Sequence, residues 1–126
     1  MKNQILQVGR WDKSTLDKLI ITLPLYDDAE LEPLVQSILV IDNWGEDVVE
    51  NVASVLIICA KRMYQGNNYS LVREIIAKIN QLPSKPELAL QKILAKYYLC
   101  LLDKKFKFAQ KIEKLIQIMG YQNVLN

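Results

Sequence analysis

The sequence predicts an all-α protein of six helices, arranged as three antiparallel hairpins stacked in a short array. Three observations carry this. Apolar residues recur at helical spacing: Trp44, Val48, Val52, Val55, Leu56, Cys59 and Met63 follow steps of three and four. Helix-start and helix-stop residues punctuate the chain at short intervals. A shift of 37 residues brings the pattern onto itself: Leu19 falls on Leu56 and Ile93, Ile20 on Ile57 and Leu94, Val35 on Val72 and Ala109, and Ile38 on Ile75 and Ile112. No segment shows convincing two-residue alternation.

The elements follow in order. Ser14 and Asp17 in "STLD" form a capping box that opens a helix over 14–24. Pro33 suits a first turn, placing the second helix over 32–42. Asn43 caps a third helix, 44–64, that contains Trp44 and ends at Gly66 as a left-handed cap. A fourth runs over 69–82. "SKPE" at 84–87 opens a fifth over 86–102, and the sixth covers 106–119, ending at Gly120. The whole chain, 1–126, reads as one helical-repeat domain with hairpins near 14–42, 44–82 and 86–119. The third helix is apolar nearly all round, so it should be the buried centre, with hairpins on both sides. The first unit is more polar, as a terminal unit of an array should be.

Composition narrows the function classes. Sixteen basic and fourteen acidic residues among 126 leave a net charge of +2. That balance points away from direct nucleic-acid binding by this chain and from an acidic membrane surface. The longest apolar run is about half of the ~20 residues that span a bilayer. Histidine is absent, which removes the commonest general base and zinc ligand. There is no reactive-cysteine motif, Gly-rich phosphate loop or paired-acid motif, so no catalytic residue, cofactor or metal is assigned. Cys59 and Cys100 each sit in an apolar run and read as buried free thiols. With no leader visible in "MKNQILQVGRWDKS", they suggest a reducing cytoplasm.

Several residues invite sharper readings. Trp44 reads as a core anchor, and Trp11 as a staple on the first cap or an interface residue. Asp27, Asp28, Glu30 and Glu32 match no EF-hand loop and suit a helix start. The lysines of "DKKFKF" at 103–108 read as a solvated helix end. Tyr97 and Tyr98 follow the core stripe. Phe108, Leu115, Ile116 and Met119 spread over more than one face of the last helix. They are expected to mediate self-association, as a homodimer, unless the tail "YQNVLN" folds back over them.

Two stretches carry a family resemblance. "ALQKILAKYYLCLLDKKFKFAQKIEKLIQIMG" is similar to a tetratricopeptide unit, with Ala109 where two helices cross closely. "VIDNWGEDVVENVASVLIICAKRM" adds a Trp after an isoleucine-rich helix, followed by a long apolar helix. Over 35–119 the chain resembles the C-terminal domain of Rgg/GadR/MutR-type bacterial transcription regulators. The resemblance implies a helical-repeat domain that dimerises and, in several family members, senses short peptides. Where that family tends to have "WxYYE", this chain has Glu46, Asp47 and Val48, and the family's later asparagine falls at Ser54. No ligand residue is therefore carried over. No helix-turn-helix fits before Ser14. The implied function is a non-catalytic sensing or dimerisation domain that binds a peptide or protein partner. The alternative is a stand-alone small helical protein of the immunity type, binding one partner protein.

Overall fold

The computed structural model describes residues 11–121. The readings placed on residues 1–10 and on the tail 122–126 lie outside the described residues. Among the described residues the chain is all-helical: α1 (Lys13–Thr22), α2 (Asp28–Leu39), α3 (Val49–Gln65), α4 (Tyr69–Gln81), α5 (Ala89–Leu102) and α6 (Phe106–Ile118). Short 3₁₀ turns, Leu23–Leu25 and Pro86–Leu88, extend α1 and precede α5.

The helix starts differ from those expected. Asp12, not Ser14, caps α1: its carboxylate accepts from the Thr15 amide at 2.8 Å and the Thr15 hydroxyl at 2.8 Å. Asp27 and Glu30 form the capping box of α2, which therefore begins at Asp28. Pro33 then falls inside the helix rather than in its first turn. The amide it lacks would have faced the carbonyl of exposed Ala29, which water can reach. Asn43 and Trp44 precede α3 in a stretch without regular secondary structure. The indole of Trp44 packs against both apolar clusters of the core, and helix begins only after the turn at 46–48. Ser84 caps nothing, since Lys85 is the residue before the Pro86 turn.

The 37-residue repeat is visible in the backbone. Shifting α3 by 37 gives 86–102, the span of the Pro86 turn plus α5, and α4 shifted likewise gives Phe106–Ile118. The turns correspond bond for bond. Asn68 N–H donates to Met63 O at 2.8 Å, and Lys105 N–H to Cys100 O at 2.8 Å. Asn67 and Lys104 both adopt left-handed geometry, with φ of 64° and 59°. This is the Schellman arrangement. A third copy closes α6, where Gly120 has φ 88° and Tyr121 N–H reaches Ile116 O. The left-handed residue after α3 is thus Asn67, one past the expected Gly66. Gly66 itself has φ −87°, and a Cβ there would crowd only the movable Asp28 carboxylate, at 2.8 Å. The first unit departs from the repeat. α2 starts four residues early, and α1 and α2 each approach α3 more closely than they approach one another.

α3 is the centre, packed by α1, α2, α4 and α5. Val52, Ala53, Val55, Leu56, Cys59, Ala60 and Met63 are all sealed from solvent. Neighbours on nearly every side explain why its polar face is almost missing. Burying a Leu or Val side chain contributes roughly 1.5–3 kcal/mol, so this one helix anchors both flanking units.

Candidate functional site

One groove among the described residues combines an apolar floor with inward-facing polar groups. It lies between α3 and α5, the first helices of the second and third units. Its volume is about 350 Å³, and it is lined by Ser54, Ile57, Ile58 and Lys61 from α3 and by Leu90, Gln91, Leu94 and Tyr98 from α5. The repeat builds it. Asp17, Ser54 and Gln91 stand at 37-residue intervals, so the first helices of successive units bring polar groups to corresponding positions. The Asn51 side-chain amide bonds Asp17 across α1 and α3, tying the first of these to the second.

The groups in the groove differ in character. Ile57 and Leu94 are buried and form its floor, while Ile58 is partly exposed at its rim. Gln91 Oε1 is buried and has no hydrogen-bond partner among the described residues. Lys61 also lines the groove. Tyr98 belongs to an aromatic cluster: its ring centroid lies 5.7 Å from Tyr64 and 5.3 Å from Tyr97, and Tyr64 is 5.4 Å from Tyr69. Burial, with Tyr64 adding to it, pushes the Tyr98 phenol up to about 12. Tyr97 is only half-buried, and its hydroxyl donates to Glu113 at 2.8 Å. Burial first, then that carboxylate, raises its phenol well above the usual range. Both tyrosines are neutral hydrogen-bonding groups at neutral pH.

The other residues singled out from the sequence mostly have structural partners. Trp11 donates to Ser37 Oγ at 2.8 Å and packs on the core, joining the start of α1 to α2. Trp44 Nε1 is buried without a partner. Of the four acids, Asp27 and Glu30 cap α2, and Asp28 pairs with Arg62 at 3.0 Å. No group of three potential ligands that could hold a metal occurs among the described residues. Cys59 and Cys100 are buried free thiols, and burial raises the Cys59 thiol to about 12, with Arg62 opposing weakly.

The last helix divides the four residues expected to mediate self-association. Phe108, Leu115 and Met119 are exposed. Ile116 is fully buried with Ala109, because α6 turns its 109–112–116 stripe onto α5. Ile116 is a packing residue and offers no side-chain surface to a partner in this arrangement.

Arg62 is the connection that the sequence pattern does not announce. Its guanidinium donates to Leu23 O at 2.9 Å, to Tyr26 O at 2.8 Å and to the Asp28 carboxylate at 3.0 Å. It thereby holds the α1–α2 turn on the end of α3. Local sequence suggests only a cation near a helix C-terminus.

Fold and groove define an all-α helical array whose helices are tied by a few side-chain bonds, Arg62 and Trp11 among them. No protein-family model, curated protein or solved structure matches the chain. No helix of the described residues is long and apolar enough to cross a membrane.

Proposed function

We propose that this chain is a non-catalytic helical-repeat recognition module that takes a short apolar segment of a peptide or protein partner into the α3–α5 groove. One observation carries the reading. Gln91 Oε1 is a buried acceptor with no partner among the described residues, on a residue of the groove wall. Buried polar groups are nearly always satisfied, and an orphaned acceptor costs on the order of 1–3 kcal/mol. An extended peptide offers a backbone N–H to Gln91 Oε1 once that side chain turns toward the groove, and apolar side chains to Ile58 and Leu90. The tetratricopeptide-like reading is supported by the 37-residue backbone repeat and by buried Ala109, where α6 crosses α5. The narrower reading is a sensing and dimerisation domain of an Rgg/GadR/MutR-type regulator in the bacterial cytoplasm. Its support is the sequence around Trp44 and the array of amphipathic helices that follows.

The test is an amide-resolved NMR titration with a panel of synthetic apolar tetrapeptides bearing free C-termini. Saturable shifts at Ser54, Ile58 and the Gln91 side-chain amide are expected, and Ile58→Lys should abolish them without changing the fold. Shifts confined to other surfaces, or none at millimolar peptide, refute the groove as a recognition site.

A further inference from the structure

The near-zero net charge conceals a polar molecule. Residues 11–39, which form α1 and α2, carry six acids and two bases, and residues 103–119, which form α6 and the turn before it, carry five bases and two acids. The array runs in chain order, so its α1–α2 end is acidic and its α6 end is basic. On the basic end, Lys104, Lys105, Lys107 and Lys114 make no ion pair among the described residues, and Lys111 lies over the Phe108 ring at 5.3 Å.

The basic end is also unfinished. In the repeat, Phe108, Leu115 and Met119 correspond to Leu71, Lys78 and Leu82 of α4. Those three are 2%, 7% and 7% exposed; their counterparts on α6 are 58%, 44% and 42% exposed. The difference lies in the neighbours: α4 is flanked by α2, α3 and α5, whereas α6 packs mainly on α5. An unpaired face of this kind in a helical array is where a further unit belongs. The acidic end carries matching apolar surface, with Ile21 and Leu25 both exposed on α1 and its 3₁₀ extension.

We propose that the α6 end of one copy docks on the acidic α1–α2 end of a second copy, head to tail. α1 of the second copy would then stand to α6 as α5 stands to α4, since α1, α3 and α5 are equivalent under the 37-residue shift. Lysines meet exposed Glu32 and the net negative charge of that end around an apolar centre. Opposite charge on the two ends favours this register and penalises two α6 ends meeting. A head-to-tail contact does not close on itself in pairs, so it grows into rings or open chains. This inference is independent of the groove.

Sedimentation velocity on the full chain tests it, across a rising concentration series at about 0.05 M and about 0.5 M salt, where screening differs several-fold. Species beyond a dimer are expected at low salt, with association weakened about tenfold or more at high salt. Leu115→Glu and Ile21→Lys change exposed residues on opposite ends, and each alone should leave a monomer with an unaltered circular-dichroism spectrum. Mixed in equal amounts they should form one heterodimer, because each retains one intact end. A wild-type monomer throughout would overturn the proposal. So would a dimer lost in Leu115→Glu but untouched by Ile21→Lys, which means that two α6 ends pair. Cosedimentation with phosphatidylglycerol vesicles that needs Leu115, without self-association, would assign the face to anionic lipid instead.

Discussion

Replacing Arg62 should unfasten the first unit from the rest of the molecule. The guanidinium makes two hydrogen bonds to main-chain carbonyls, Leu23 O and Tyr26 O, and one to Asp28. Bonds from a charged donor contribute about 1.5–3 kcal/mol each. The Asp28 side chain is half-exposed, so its ion pair adds at most about 1 kcal/mol. Taking the low end for a partly exposed arginine, Arg62→Met should cost about 3 kcal/mol. Methionine retains the aliphatic stem, so the loss reports the head group rather than packing. Arg62→Lys has one nitrogen where three bonds fork, and should lose about half as much. Asp28→Asn should cost less than about 1 kcal/mol. Urea unfolding followed by circular dichroism measures all three. A small domain holds only about 5–15 kcal/mol in total, so the shift in midpoint is large. If Arg62→Met unfolds at the wild-type midpoint, or Asp28→Asn matches it, the two carbonyl bonds are not what holds the turn.

Three further outcomes are expected. Stability should fall between pH 9 and 12. Burial keeps the Cys59 thiol and the Tyr98 phenol protonated to about 12 in the fold, while in the unfolded chain they ionise near 9.0 and 10.0, so rising pH favours unfolding through that window. Urea unfolding against pH checks this, and Cys59→Ser should lower the unfolding free energy at pH 7 by about 1–3 kcal/mol, while Lys104→Ala stays within about 0.5 kcal/mol. Lys104→Gly should stabilise by about 0.5–1 kcal/mol by relieving a side chain held at φ 59°, which thermal melts decide. Ile116→Lys should lower stability by several kcal/mol, on the order of a buried unpaired charge, while Leu115→Glu leaves the monomer's stability near wild type.

Periodic features of the fold were legible in the sequence, because apolar spacing and a 37-residue shift are properties of many residues at once. The burial of α3 and the correspondence of α4 with α6 followed from them. The errors cluster where two local signals compete. Asp27 and Pro33 both mark a helix start, six residues apart, and the reciprocal Asp27–Glu30 bonds prevailed because they satisfy two amides where proline merely avoids one. Trp44 fits the helical spacing of α3, yet burying its indole at the junction of two clusters takes it out of the helix. The candidate groove was less accessible to pattern reading. Tyr98 was placed on the core stripe, but Gln91 reads as an ordinary polar position until α3 lies beside it. Arg62 is opaque for the same reason, since its carbonyl partners are 39 and 36 residues away.

Net charge misleads for a related reason. A sum over 126 residues discards position, and in a globular fold, where distant segments intermix, that loss is minor. In an array stacked in chain order, sequence position becomes position in space, so a run of acids followed by a run of bases becomes a molecule with two unlike ends. The relevant quantity is then charge per unit of the array. Six acids against two bases over 11–39 give that end a net negative charge, opposite in sign to the lysine-rich α6. The same geometry decides which apolar residues matter. Leu71 and Phe108 occupy equivalent positions on equivalent helices, yet only Leu71 is covered, because α4 has helices on several sides and α6 has chiefly one. Exposed apolar surface and unlike charge therefore arise together at the ends of the stack, and a second copy of this chain supplies the complement to both.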